Sequence, residues 1–222
     1  MRNDAHKYGY IYMDNAPYEI LGNDILPFTD LIRIKRVEDV LEKYWNAHRL
    51  DNTMNYLIQH VFESAFDLFQ EFGDYWEERG WQKIGHQLED LFTRLQAFLI
   101  DRGTLHMTVI EGFMKLDYFL GHKYKPRKIW WEFSLDKGEQ SALMKQLSEH
   151  PEDVSVEFAK LKITEKDMHK HVMIEVLPFN LEMYKADGQL DQEPSLLIVY
   201  FHPDAQGKAN YYTMPMKQLA AT

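Results

Sequence analysis

The chain has 222 residues, 45% of them hydrophobic and 14% aromatic, with a formal net charge of −10 and no cysteine. That composition buries a core rather than remaining disordered, and its acidic balance argues against nucleic acid as a partner, since affinity for phosphate backbones comes from lysine and arginine. Lack of cysteine excludes a disulfide framework, a thiolate-held iron–sulfur cluster and a cysteine nucleophile on this chain.

Residues 1–25 read as a lead-in, extended over residues 8–12 and turning at Asp14-Asn15-Ala16-Pro17, because proline biases the residue before it away from helix. Pro27 suits a helix start and Asp30 suits its first turn. From there Ile34, Val37, Leu41, Tyr44, Trp45 and His48 recur at three- and four-residue spacing, which predicts a core-facing stripe on a helix running to about residue 49. Lys35/Asp39 and Asp39/Lys43 are spaced for ion pairs along it. Asp51-Asn52 is placed to cap a second helix carrying Leu57 and Val61. Ser64 and Asp67 form a capping-box pattern for a third, with Phe66, Phe69, Phe72 and Trp76 on one face until Gly80.

A fourth helix carries Ile84, Leu88, Leu91, Leu95, Phe98 and Leu99 and stops at Asp101-Arg102-Gly103. The fifth carries Val109, Ile110, Phe113, Met114 and Phe119, with Gly121 as its C′ residue. Short connections favour antiparallel neighbours, so residues 26–131 are expected to form an irregular multi-helix bundle. A sixth helix over residues 139–150 is closed by Pro151, after which the pattern becomes β-rich. Residues 171–177, 195–201 and 210–214 read as antiparallel strands, with turns at residues 186–188 and 205–208. The unbroken apolar run of residues 195–201 predicts a central strand covered on both faces. Residues 154–158 read either as a fourth strand or as irregular chain. The fold class is therefore α+β, mostly α, with residues 132–222 packing on the helical bundle as one compact unit.

Chemistry-bearing residues are sparse. His86, Glu89 and Asp90 are spaced like ligands on one helix face, and a solvated polar face is the stronger reading. His169 and His171 alternate at a strand entry and His202 ends another strand, so ordinary edge histidines compete with a metal site. The sharpest charge contrast is His122-Lys-Tyr-Lys-Pro-Arg-Lys128, leading into Ile129-Trp-Trp131. Lys125, Arg127, Lys128, Trp130 and Trp131 are candidates for contact with an anionic group or a partner, because guanidinium forks match carboxylates and phosphates and aromatics supply contact area. The competing reading is a helix C-terminus attracting cations, followed by tryptophans that plug a core. There is no phosphate-binding glycine loop, dinucleotide fingerprint or nucleophile elbow, and no catalytic, cofactor-binding or metal residue is assigned.

Tyr8-Gly-Tyr-Ile-Tyr12, Asn15-Ala-Pro-Tyr-Glu-Ile-Leu21 and the run from Leu31 to Trp45, followed by Phe66-Asp-Leu-Phe-Gln-Glu-Phe-Gly73, Tyr75-Trp76, Asp117-Tyr118, Pro126 and Trp130-Trp131, resemble a segment of cobalamin-binding radical SAM proteins. That segment is their C-terminal domain of unknown function, in the group labelled magnesium-protoporphyrin IX monomethyl ester cyclase-like or Fe-S oxidoreductase. The resemblance covers most of residues 6–131. It implies a non-catalytic accessory domain whose parent binds a [4Fe-4S] cluster, SAM and cobalamin upstream. Its partners would be the radical SAM and cobalamin-binding domains of the same parent chain. Residues 1–25 would be the lead-in from that core, with Tyr18, Glu19, Arg33 and Arg36 as candidate core-docking residues. The alternative is a free-standing helical protein-interaction module unrelated to radical chemistry. With no apolar run of membrane-spanning length and no signal-peptide pattern in residues 1–7, a cytoplasmic location and no membrane partner are expected.

Overall fold

The computed structural model describes residues 5–16, 19–203 and 209–216. The chain divides into two compact units, residues 1–48 with 57–85, and residues 49–56 with 86–222. The fold is α+β and mostly helical, as the sequence predicts.

In the first unit, α1 (Ala5–Tyr8) leads into a short antiparallel hairpin of β1 (Ile11–Tyr12) and β2 (Ile20–Gly22). Part of the expected extended run is therefore helical. The hairpin is closed by Met13 N–H donating to Glu19 C=O at 2.9 Å, and Asp24 N–H reaches Tyr8 C=O at 3.3 Å. Next, α2 (Phe28–Leu41) starts directly after the extended Pro27 and passes into a π turn, Glu42–Asn46. The unbroken helix expected to about residue 49 thus ends sooner. A π turn changes the helical phase, and His48, with φ 52°, lies in the left-handed region beyond it. The predicted stripe shifts accordingly: Val40 and Tyr44 are buried, whereas Ile34 and His48 are exposed.

Gly73 shows why that face was chosen. It lies in α4 (Ala65–Glu78), and a Cβ there would meet the backbone C and O of Arg36 at 2.9 Å. The two helices therefore approach too closely for any side chain at that point, which turns the Arg36–Val40 side of α2 toward α4. Ser64 caps α4 as predicted, its hydroxyl accepting from Asp67 N–H at 3.1 Å. Phe69, Phe72 and Trp76 are buried, but Phe66, in the first turn, is exposed. Tyr44, Phe72 and Trp76 pack edge to face with centroids 4.8–5.8 Å apart, geometry favoured by the aromatic quadrupole. Gly80, with φ 70°, ends the helix before a 3₁₀ turn, Trp81–Lys83.

In the second unit, a carboxylate distant in sequence caps a helix. The helix α3 (Asp51–His60) begins with Asn52 and Thr53 bonded to Asp117 of α6 (Met107–Leu120). Thr53 N–H and Oγ1 donate to Oδ2 at 2.8 and 2.7 Å, while Asn52 N–H and Nδ2 donate to Oδ1 at 3.3 and 2.6 Å. The capping role expected of Asp51-Asn52 thus falls to Asp117. Before α6 comes α5 (Leu88–Asp101), which starts later than predicted and leaves Ile84 exposed. Gly121 ends α6 with φ −73°, not the expected left-handed C′ conformation. Its lack of a side chain serves packing instead, since a Cβ would lie 3.2 Å from Leu88 Cδ2.

The remainder of this unit is a sheet with helices on both faces. After α7 (Lys137–Glu149), capped by an Asp136/Glu139 box, come a 3₁₀ turn (Pro151–Asp153), α8 (Val156–Lys160) and α9 (Glu165–His171). Residues 154–158 are thus not a strand; Ser155 nucleates α8 by accepting from Phe158 N–H at 3.0 Å. Three antiparallel strands follow in the order β3 (Val172–Leu177), β4 (Ser195–Tyr200), β5 (Asn210–Pro215), with α10 (Leu181–Asp187) between the first two. All six β4 residues are buried, as expected of a central strand. On one face Val172, Ile174, Leu196, Ile198, Tyr200 and Met214 pack with Met144, Leu147, Phe158 and Met168 of α7–α9. The other face meets α6. The turn expected at residues 205–208 lies outside the described residues; the one at residues 186–188 is the C-terminus of α10, where Gly188 has φ 74°.

Replacing Gly73 by Ala should destabilise the first unit by ~1–3 kcal/mol, the usual penalty of overpacking. Alanine's helix propensity alone would instead stabilise by about 1 kcal/mol. Denaturant midpoints of the two proteins decide between the signs. Burial pushes the Asp117 carboxyl from its ordinary 3.8 up to about 6, against the four donors that favour the anion. The folded state therefore holds this proton more tightly than the unfolded one. Its contribution is fullest below pH 3.8, falls as pH rises to about 6, and is level above. At ~1.4 kcal/mol per pH unit that span is worth ~3 kcal/mol. Asp117→Ala should cost ~1–3 kcal/mol at pH 7 by stranding the buried Thr53 N–H. Urea titrations should show the wild-type advantage over that variant growing between pH 6 and pH 4.

Candidate functional site

The basic segment of residues 122–128 and the two tryptophans after it form the most built polar region of the second unit. His122 Nδ1 bonds Tyr118 C=O at 2.7 Å, closing the end of α6. Lys125 reaches further: its ammonium donates to the carbonyls of His169 and Val172 at 2.8 and 2.7 Å. It thereby satisfies the last turn of α9 and the entry of β3, where a cation also suits the helix dipole. Burial lowers its pKa. Arg127 and Lys128 keep exposed side chains, while the Lys128 carbonyl accepts the Tyr118 hydroxyl at 3.0 Å.

Trp130 and Trp131 are only partly exposed. Trp130 stacks on Phe92 of α5, with centroids 6.1 Å apart and planes at 20°. Its indole nitrogen is buried with no hydrogen-bond partner among the described residues. Trp131 packs edge to face on Tyr118 and Phe119 at 5.4 and 5.3 Å. Its indole N–H donates at 2.7 Å to Glu175 Oε2, in the middle of β3.

Glu175 is fully buried. Its Oε1 accepts from Val176 N–H at 2.9 Å and Ser134 N–H at 3.2 Å, and Lys115 Nζ of α6 lies 3.6 Å away. The Lys115 ammonium also sits 5.7 Å from the Trp131 ring centroid, within cation–π range. One carboxylate thus joins a strand, a helix and the tryptophan segment, each of its oxygens satisfied. Neither Glu175 nor Asp117 is among the candidate site residues of the sequence, although Asp117 belongs to one of the motifs that carry the resemblance. Each is a single acid inside an otherwise apolar run, Val172-Met-Ile-Glu-Val-Leu177 and Leu116-Asp-Tyr-Phe-Leu120, and that is the signal available for both.

The candidate docking residues belong to the first unit. Glu19 is paired with Lys35, and Arg36 with Asp74 at 2.9 Å and with Glu77. Arg33 is exposed. Tyr18 lies outside the described residues. Arg36 also lines a small groove of about 150 Å³ with Ile32, Gly73 and Trp76.

The metal alternatives do not assemble. His86 precedes α5 and contacts Arg94, Glu89 receives the Tyr118 hydroxyl, and Asp90 caps the α5 N-terminus through Gln87 N–H. His169 and His171 lie in α9, not on a strand, so positions two apart point to different sides. His202 packs on Tyr200. Among the described residues no three His, Asp or Glu side chains are grouped to hold a metal ion. No helix of the described residues is long and apolar enough to cross a membrane.

Residues 6–199 match the model of a family described as a protein of unknown function (DUF4080), and the chain belongs to that family. No curated protein and no solved structure matches it significantly.

Changing Glu175 to Leu would leave Lys115 and three N–H donors without their acceptor, at a cost of ~3–5 kcal/mol. Chemical denaturation followed by tryptophan fluorescence should show that loss. A change below about 1 kcal/mol would mean the cluster contributes little to folding.

Proposed function

We propose that this DUF4080 chain is a non-catalytic C-terminal accessory domain of a cobalamin-dependent radical SAM enzyme, packing on its core and helping to enclose substrate. The order of sequence motifs over residues 6–131 supports this reading. The structural observation that carries it is the concentration of exposed apolar side chains early in the chain. Tyr8, Ile11, Ile20, Ile25, Phe28 and Ile34 are all exposed, Ile25 by 90%. They lie at the end of α1, on the hairpin, in the turn after it and in the first half of α2, and Gly22, paired with Ile11, sits so close to the start of α2 that an added Cβ would lie 3.4 Å from Phe28 N. Clustered apolar exposure marks interaction surfaces. The upstream core is the partner that the resemblance supplies, with Arg33 and the candidate Tyr18 beside this surface in sequence. A docked domain of this kind excludes water from reactive intermediates. Arg127 and Lys128 are the exposed cations offered to an anionic group or partner.

The [4Fe-4S] cluster, SAM and cobalamin belong to the parent's upstream domains in this reading. Residues of this chain do not fit the cluster, since there is no cysteine to supply thiolate. The parent works in the cytoplasm. A second reading, a free-standing helical interaction module unrelated to radical chemistry, draws on the internal pairing of the hairpin, which holds the lead-in without a neighbour.

Immunopurification of the native protein from its source cells, followed by peptide mass spectrometry, separates the two. A polypeptide far heavier than 26.5 kDa, carrying a three-cysteine cluster motif upstream of these residues, is expected. A 26.5 kDa protein without such peptides would sink the accessory-domain reading.

A further inference from the structure

The two edges of the β3-β4-β5 sheet are treated differently. Met216 N–H donates to Pro194 C=O at 3.1 Å, and Phe201 N–H to His171 C=O at 2.8 Å. With the register Leu196↔Met214 and Ile198↔Tyr212, the groups of residues 210, 212 and 214 turn toward β4. Antiparallel alternation then directs the N–H and C=O groups of Tyr211 and Thr213 to the outer edge. On the β3 edge side chains take two of the corresponding groups: the Val172 carbonyl takes the Lys125 ammonium, and Val176 N–H goes to Glu175.

The β5 edge instead lies in a cleft of about 410 Å³. Its walls come from the helices on opposite faces of the sheet. Phe158 of α8 packs on Tyr212, 5.1 Å between centroids, and Ser155 and Glu157 line that side. On the other side Glu182 of α10 accepts the Thr213 hydroxyl at 2.9 Å, and Lys185 donates to the Tyr211 hydroxyl. Pro215, which has no N–H, limits the open edge at one end.

We infer that this cleft binds an extended peptide segment of another polypeptide, added antiparallel or parallel to β5 through the outward groups of Tyr211 and Thr213, with a lysine or arginine side chain held between Glu157 and Glu182. Main-chain pairing at an exposed edge supplies affinity and alternate side chains supply selectivity. Both walls carry a carboxylate, while the one ammonium lining the cleft among the described residues, Lys185, is engaged by Tyr211. A basic segment therefore fits where an acidic one is repelled. The inference is independent of the parent enzyme.

The probe is the capped pentapeptide Val-Lys-Val-Lys-Val, titrated into the isotopically labelled chain. Amide shifts at Tyr211 and Thr213, with slowed hydrogen exchange at both, are expected. N-methylation of the central valine should weaken binding about tenfold or more, as should exchange of both lysines for glutamate. Glu157→Lys, on an exposed side chain, should weaken it about threefold or more. Thr213→Pro should abolish binding while preserving the ladder to β4, which does not use that N–H. Should that variant fail to fold, the N-methylated peptide on wild-type protein still decides. Absence of shifts at millimolar peptide, equal binding of the N-methylated form, or shifts away from β5 would overturn the inference. So would self-association lost in Glu157→Lys, which would make the edge an interface between copies of this chain.

Discussion

The buried carboxylate of Asp117 is the interaction on which the second unit most depends. It sits on α6, the helix that also places Lys115 against the sheet and Tyr118 beneath the tryptophans, and it receives four hydrogen bonds from the first turn of α3. A helix begins with N–H groups that have no partner within the helix. Where those groups are buried, as at Thr53, they must be met by a side chain or the helix start is lost. Asp117 meets them from a point 64 residues away in sequence. It does so in a setting that raises the energy of its own charged form.

Glu175 follows the same logic on the sheet. A carboxylate inside a strand with both faces covered is costly unless every oxygen has a partner, and here an indole, two backbone amides and an ammonium supply them. The gain is positional. It fixes Trp131 and the residue 134 backbone to β3, while Lys125 fixes the preceding loop to the same strand's first carbonyl. The basic segment that stands out in sequence is thereby divided. Lys125 and His122 hold structure, and Arg127 and Lys128 face solvent.

The first unit rests on close approach. Gly73 lets α4 touch the α2 backbone at Arg36, and the aromatic cluster of Tyr44, Phe72 and Trp76 fills the space beside it. The π turn after Leu41 belongs to the same packing, because it brings Tyr44 into the core as the helix runs out. Arg36 is held by two carboxylates of α4, so its charge is neutralised within the unit, and most of the large apolar residues this unit exposes lie between Tyr8 and Ile34.

Periodicity along the chain determined that there would be amphipathic helices, a capped α4 at Ser64, a stop at Gly80 and Gly103, and three late strands with the apolar one in the centre. Those features are local: each follows from side-chain spacing or from a cap a few residues away. The tertiary structure alone decided the phase of α2, since a π turn and a glycine contact 37 residues on outweigh the stripe that placed Ile34 inward. It also made residues 156–160 helical, where the Ser155 cap and the burial of Phe158 against the sheet override the alternating pattern of residues 154–158, and it placed His169 and His171 at the end of a helix rather than at a strand entry. The partners of Asp117 and Glu175 were beyond sequence for the same reason. A buried charge announces itself as an acid in an apolar run, but which groups neutralise it depends on which elements the fold brings together.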